Sequence, residues 1–188
     1  MNIRMAVAIL IGVVVVVMII VLIYQRQRTT RLQRQFGPEY DRLLATHRSR
    51  RRVEAELEAR CQRVKALHLH ELDAARRRQL LDAWESAQAR FADDPRGAVA
   101  AAARLVEEVL EAEGYSVSSF DQCMADLSVH HAYVTEDYRT AREISARAER
   151  GGASTEDLRQ AMIFYRALFE DVLGERIRKQ EAHHERAA

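Results

Sequence analysis

The sequence predicts an all-α protein: one N-terminal transmembrane helix, a helical stalk and an antiparallel helical bundle. Three observations carry that expectation. Residues 5–24, MAVAILIGVVVVVMIIVLIY, run for 20 positions without a charge. The 188-residue chain holds only two prolines and seven glycines, so long helices meet few breakers. Beyond the apolar run, hydrophobic residues recur at helical spacing, and no alternating strand pattern appears.

A helix of 20 residues rises about 30 Å, the thickness of a hydrocarbon core. Fourteen of the 20 are Val, Ile or Leu, which together favour insertion by roughly 4–8 kcal/mol. The Val13–Val17 run suits a strand in water, but lipid forces the backbone to satisfy its own hydrogen bonds, so a helix is expected. Tyr24 stands where an interfacial aromatic belongs. A cleaved signal peptide is the rival reading. The run is longer than the usual 7–15 apolar residues and ends in Tyr24-Gln25-Arg26, with no small-residue cleavage site.

The flanks set direction. Only Arg4 precedes the span, whereas Arg26, Arg28, Arg31 and Arg34 follow it before the first acid, Glu39. Positive flanks stay in the cytoplasm. The expectation is an inner-membrane protein with its N-terminus outside and its C-terminal domain inside. Net charge is +1 but unevenly placed: residues 25–60 hold ten arginines against five acids, and the distal chain is acidic.

Residues 1–36 thus form the anchor with a basic juxtamembrane helix. Gly37 and Pro38 end that helix and open the next, which makes them a hinge. Residues 37–70 form the stalk. Its helix spans 38–67, with Tyr40, Leu43, Leu44, His47, Leu57, Cys61, Val64 and Leu67 on one stripe. The stripe is interrupted at Arg50, Arg51 and Glu54. A continuous helix of 30 residues reaches about 45 Å.

Residues 71–188 form the bundle. A helix from Glu71 to Ala92 carries Leu72, Leu80, Trp84, Ala87 and Phe91. Asp93 or Asp94 caps the next, 96–113, with Pro95 in its first turn. That helix buries Val99, Ala102, Leu105, Val106, Val109 and Leu110, and Gly114 ends it. Ser118 with Asp121 is read as the cap of a short helix through Leu127. A helix over 132–149 carries Tyr138, Ala141, Ile144, Ser145 and Ala148 and stops at Gly151-Gly152. Ser154 with Asp157 caps the last, 155–182, whose apolar face is Leu158, Ala161, Met162, Tyr165, Leu168, Phe169 and Val172. Cys61 and Cys123 belong to no C-x-x-C motif and read as free thiols in a reducing cytoplasm.

Four stretches carry a family resemblance: FGPEYDR at 36–42, the Trp84, Gln88, Phe91, Asp94-Pro95, Ala98-Val99 pattern, DLSV at 126–129, and TEDLRQAMIFYRALFEDVL at 155–173. They resemble a group of uncharacterised single-span bacterial proteins labelled membrane or secreted. The resemblance covers most of 36–173. It implies the same architecture and brings no catalytic residue, cofactor or activity. Such relatives are expected to carry a proline shortly after DLSV, where this chain has Ala132.

No chemistry stands out. His68-x-His70-Glu71, His130-His131 and His183-His184 invite a metal, but zinc sites need three or four converging ligands. Adjacent histidines point about 100° apart on a helix, and H-E-x-x-H is absent. Glu181 and His184 alone have di-iron spacing. There is no G-x-S-x-G, and Gly151-Gly152 lacks the Lys-Ser/Thr of a phosphate loop. No catalytic residue, metal site or cofactor is assigned, and no enzyme activity is expected. The cluster His47-Arg48-Ser49-Arg50-Arg51-Arg52 lacks interleaved aromatics, which argues against nucleic acid.

The expected role is a membrane-tethered interaction or scaffold protein. Its partners are membrane lipids and a protein or second copy, met through Trp84, Tyr165 and Phe169. The alternatives are a histidine-dependent metal protein or enzyme, and a sensor of anionic lipid using the arginine clusters.

Overall fold

The computed structural model describes residues 3–47, 49–70 and 72–187, with side chains over 11–47, 49–70 and 72–174. Among these the chain is all-helical, without a strand. Its helices are α1 (Ile3–Phe36), α2 (Pro38–Thr46), α3 (Arg50–Ala66), α4 (Ala74–Ala89), α5 (Pro95–Ala112), α6 (Phe120–Leu127), α7 (Ala132–Glu149) and α8 (Thr155–Ala187). A single 3₁₀ turn, Arg90–Ala92, joins α4 to α5.

α1 is unbroken over 34 residues, as the absence of any internal Pro predicts. It has two unlike halves. Every residue from Ile11 to Tyr24 is exposed. Leu32 and Phe36 are fully buried. The helix is long and apolar enough to cross a membrane.

Asp73 accepts from the Arg76 N–H and opens α4, so that helix begins at Ala74. Local capping follows the sequence closely at two further ends. Asp94 accepts from the Gly97 N–H, and Pro95 fills the first position of α5, where its missing N–H costs nothing. Ser154 and Asp157 form a reciprocal box: the Asp157 N–H donates to Ser154 Oγ (3.1 Å) and the Ser154 N–H to Asp157 Oδ2 (2.9 Å). One cap moves by a residue. Ser119, not Ser118, caps α6, because the Ser118 hydroxyl pairs with Ser116 instead. Glu71, the expected start of the helix over 71–92, lies outside the described residues.

α4, α5, α7 and α8 build the main core. α8 lies against both α5 and α7, and its densest contact is with α7. Its whole expected apolar face is buried. So are Trp84, Tyr165 and Phe169: the first is 5% exposed, the second 0%, the third 1%. The Trp84 and Phe169 rings stack with centroids 4.7 Å apart. Tyr165 meets Tyr138 edge-on and hydrogen-bonds Ser145 through its hydroxyl. This corrects their assignment as contact residues. The α8 stripe that holds Tyr165 and Phe169 is wide because α8 packs on both α5 and α7, and a helix buried on two sides needs a wider apolar face.

A second core joins α1 to the rest: Leu32, Phe36, Tyr40, Leu43, Val53, Leu57, Val64 and Val129. It replaces the rod expected over 38–67. α2 ends at Thr46 and α3 begins at Arg50, with His47 and Ser49 extended. α2 and α3 then both pack against α1, α2 also meets α7, and α3 meets α6. The reason is burial. An isolated stripe of Tyr40, Leu43, Val53 and Leu57 would face water at about 25 cal/mol per Å² of apolar surface. Folding at 47–49 sets that stripe on Leu32 and Phe36.

Gly37 turns the chain between α1 and α2 with φ +43°, a region closed to most side chains. A Cβ there would lie 3.3 Å from the Tyr133 ring. Pro38 is the first residue of α2. Buried Phe36 and Tyr40 flank this turn, so the packing leaves the expected hinge little room to swing.

Gly37→Ala is expected to destabilise the protein by about 1–3 kcal/mol from backbone strain alone. Urea unfolding of the full chain in detergent, followed by circular dichroism, measures it. A variant as stable as the parent contradicts the packed turn.

Candidate functional site

The polar groups that stand out in this fold lie between α1, α2 and α3. Glu39 is 4% exposed and Arg60 is 5% exposed. Arg60 Nη1 donates to Glu39 Oε1 at 2.9 Å and to Ser128 Oγ at 3.3 Å. Arg42 holds the same carboxylate with two bonds of 2.8 Å. Arg60 also pairs with Glu56, one helical turn away. This network clamps the start of α2 to the middle of α3 and the end of α6.

Burial alone pushes the Glu39 carboxyl upward. Hydrogen bonds from Arg42 and Arg60, together with their charges, outweigh it, and the carboxyl sits below its ordinary 4.5. A carboxyl depressed in the folded state stabilises above its unfolded value, and that stability is lost as pH falls through the folded one.

A second network ties α1 to α3. Glu54 is buried, and its carboxylate accepts from Thr29 Oγ1 (2.7 Å), Tyr40 Oη (3.3 Å) and Arg50 Nε (3.2 Å). Arg28 forks onto Glu58 with two bonds of 2.6 Å. Gln35 Nε2 reaches Cys61 Sγ at 3.6 Å and the Val129 carbonyl at 3.2 Å. Thr29 meets Glu54 and Gln35 meets Cys61, so α1 and α3 run in the same direction. The N-terminal end of α3 therefore lies beside the exposed apolar half of α1.

The four flanking arginines have different fates. Arg28 is committed to Glu58, and Arg31 lies 3.7 Å from the same carboxylate. Arg26 and Arg34 are exposed and have no acidic partner among the described residues. Two open grooves flank this part of α1. One of about 690 Å³, between α1 and α3, is lined by Leu22, Arg26, Arg28, Thr29, Arg50 and Arg51, among others. The other, of about 630 Å³, shares Arg26 and Thr30 and includes Arg31 and Arg34.

The histidines are scattered. His47 Nδ1 lies 3.2 Å from the Leu43 carbonyl at the end of α2. His68 and His70 are exposed, and the His70 N–H donates to the Glu113 carbonyl. His131 is buried, with Nδ1 2.6 Å from Asp171 Oδ2, and so ties the start of α7 to α8. Among the described residues no three His, Cys, Asp or Glu side chains converge on a metal position. The side chains of Glu71, Glu181, His183 and His184 lie outside the described residues. Cys61 and Cys123 are free thiols, the second buried and pushed up to about 11 by that burial and by the charge of Asp126.

Comparison with known proteins adds no assignment: no family model, curated protein or solved structure matches the chain.

Sequence reasoning missed both networks: the Glu39–Arg60 pair, and the Thr29–Glu54 and Arg28–Glu58 pairs that tie α1 to α3. Only the i,i+4 spacing of Glu56 and Arg60 points to part of the first. The rest depends on a fold-back that no local motif announces.

Glu39→Gln strands Arg60 with a weaker partner and is expected to cost toward the lower end of about 3–5 kcal/mol, since Glu56 remains. In the parent, stability falls as pH drops below 4.5, and the variant loses part of that dependence. Denaturant titrations across acid pH measure both; a flat comparison removes the clamp.

Trp84→Ala is expected to cost about 3–5 kcal/mol as a core truncation. Trp84→Phe should cost much less, because the indole N–H has no acceptor among the described residues. If Trp84→Ala leaves stability unchanged, Trp84 is not a core residue.

Proposed function

We propose that this protein is a single-span membrane scaffold that holds a rigid helical domain against the cytoplasmic face of the inner membrane. The observation that carries the reading is α1 itself. One continuous helix has an apolar half exposed on every side, Ile11–Tyr24, and a second half with Leu32 and Phe36 fully buried in the domain. A helix bare all round over that length suits lipid and not water. Arg26, Arg28, Arg31 and Arg34 follow the span, which favours the cytoplasmic placement of the domain.

The coupling is stiff. Thr29–Glu54, Arg28–Glu58 and Gln35–Val129 fasten the helix to the body within three turns of Tyr24. The body thus has a defined orientation to the bilayer, which suits the presentation of a surface to a protein partner or a second copy. That surface excludes Trp84, Tyr165 and Phe169, which are interior. Among the described residues, exposed large apolar side chains on the body are few: Leu81, Tyr133 and Ile163. The role is non-enzymatic, and it accords with the single-span architecture that the sequence resemblance implies.

A reporter fused after Ala188 should be active in the cytoplasm, and the full chain should stay with the membrane through alkaline carbonate extraction. Release by carbonate, or reporter activity in the periplasm, overturns the tether or its direction. Crosslinking in intact cells should capture a protein partner or a second copy; an uncrosslinked monomer removes the scaffold role.

A further inference from the structure

We propose that the groove between α1 and the start of α3 binds the headgroup of an anionic phospholipid. The inference rests on the reading that Ile11–Tyr24 lies in the bilayer, and it names a specific ligand for the face beside it.

Depth is the first support. Leu22 belongs to the apolar half of α1, and the groove runs from Leu22 to Gln33 along that helix. Eleven residues of rise cover about 16 Å. The polar layer on one side of a bilayer is about 5–8 Å thick. The groove therefore begins at the edge of the hydrocarbon and passes through the full headgroup layer, so an acyl chain would lie along Leu22 while its phosphate sits among the arginines.

Charge is the second. Arg26, Arg28, Arg50 and Arg51 line the groove against one acid, Glu54. Two of the four are occupied: Arg28 by Glu58, and Arg50 by Glu54 and Tyr40. Arg26 and Arg51 have no acidic partner among the described residues, and they approach from different helices. A phosphodiester placed between them receives guanidinium donors from both sides.

The arrangement also discriminates. A zwitterionic headgroup brings its own ammonium, which would lie among unpaired arginines. A headgroup with no cation, such as phosphatidylglycerol or cardiolipin, does not meet that repulsion. The parallel course of α1 and α3 makes the site, because it returns Arg50 and Arg51 to the level of Arg26.

The test uses the full chain in nanodiscs of phosphatidylcholine with or without phosphatidylglycerol, and native mass spectrometry of the lipids it retains. The parent should retain phosphatidylglycerol selectively. Arg26→Gln with Arg51→Gln should weaken that retention roughly thirtyfold, from the usual contribution of an arginine at an anionic surface. Arg77→Gln with Arg78→Gln on α4 removes the same charge elsewhere and should leave retention unchanged. Equal retention by the first pair, or equal loss in the second, overturns the site. So does soluble glycerophosphate binding as tightly as the lipid, or a lipid-free dimer that covers both arginines. Carbonate extraction is run on the same variants: if the parent is washed from the membrane, the tether reading fails. If it stays bound but shows no lipid preference, only the headgroup site fails.

Discussion

Leu32 and Phe36 are fully buried on the same helix whose residues 11–24 are bare, and the rest of the molecule is arranged around that contrast. A helix kinks sharply only at features such as a Pro, a Gly/Ser pair or a π-bulge, and α1 is one unbroken α-helix with no Pro, Gly or Ser between Tyr24 and Phe36. Whatever environment holds its first half fixes the axis of its second. The second half in turn supplies the apolar surface on which α2 and α3 close. Residues 37–70 are thus held against α1, and Gly37 is where the chain must turn to make that possible.

The polar groups in this junction explain its specificity more than its stability. Taking Glu39 and Arg60 out of water is expensive, and a well-packed apolar pair of equal volume is often at least as stable. What the pair does is fix register. Glu39 begins α2, Arg60 lies in α3, and Ser128 ends α6, so a slip of any one helix by a residue breaks bonds to the other two. Glu54 acts similarly between Thr29 on α1 and Tyr40 on α2. Apolar contacts among Leu32, Leu57 and Val64 tolerate small slides, and these carboxylates do not.

Helix identity and most caps were legible in the sequence because they depend on near neighbours. Asp94 with Pro95, and Ser154 with Asp157, lie within three residues of what they satisfy. The break at 47–49 was not legible, since no Gly or Pro marks it, and the interruption at Arg50, Arg51 and Glu54 reads as a solvated face on one helix. It is in fact where two helices part, with Glu54 buried. The choice between a rod and a fold-back is made by Leu32 and Phe36, which lie more than ten residues upstream of the break. Trp84, Tyr165 and Phe169 failed as contact residues for a related reason. A broad aromatic stripe signals either spare surface or a helix with two neighbours, and periodicity alone does not separate them.

The fold-back gives the uneven charge of the chain a spatial meaning. In sequence, the arginines at 26–34 and those at 48–52 are two clusters centred about 20 positions apart. A straight helix over 38–67 would have carried the second cluster some 18 Å further from Pro38 by helical rise. Running α3 parallel to α1 instead brings Arg50 and Arg51 back beside Leu22 and Arg26. Carboxylates within the junction, Glu54 and Glu58, pair with Arg50 and Arg28. Arg26 and Arg51 have no acidic partner among the described residues. Which of these basic side chains are free to meet an outside anion depends on which of them the packing leaves unpaired. Arg26 and Arg51 are left so on either side of one groove, and that selection is made by the same hydrogen bonds that hold α3 against α1.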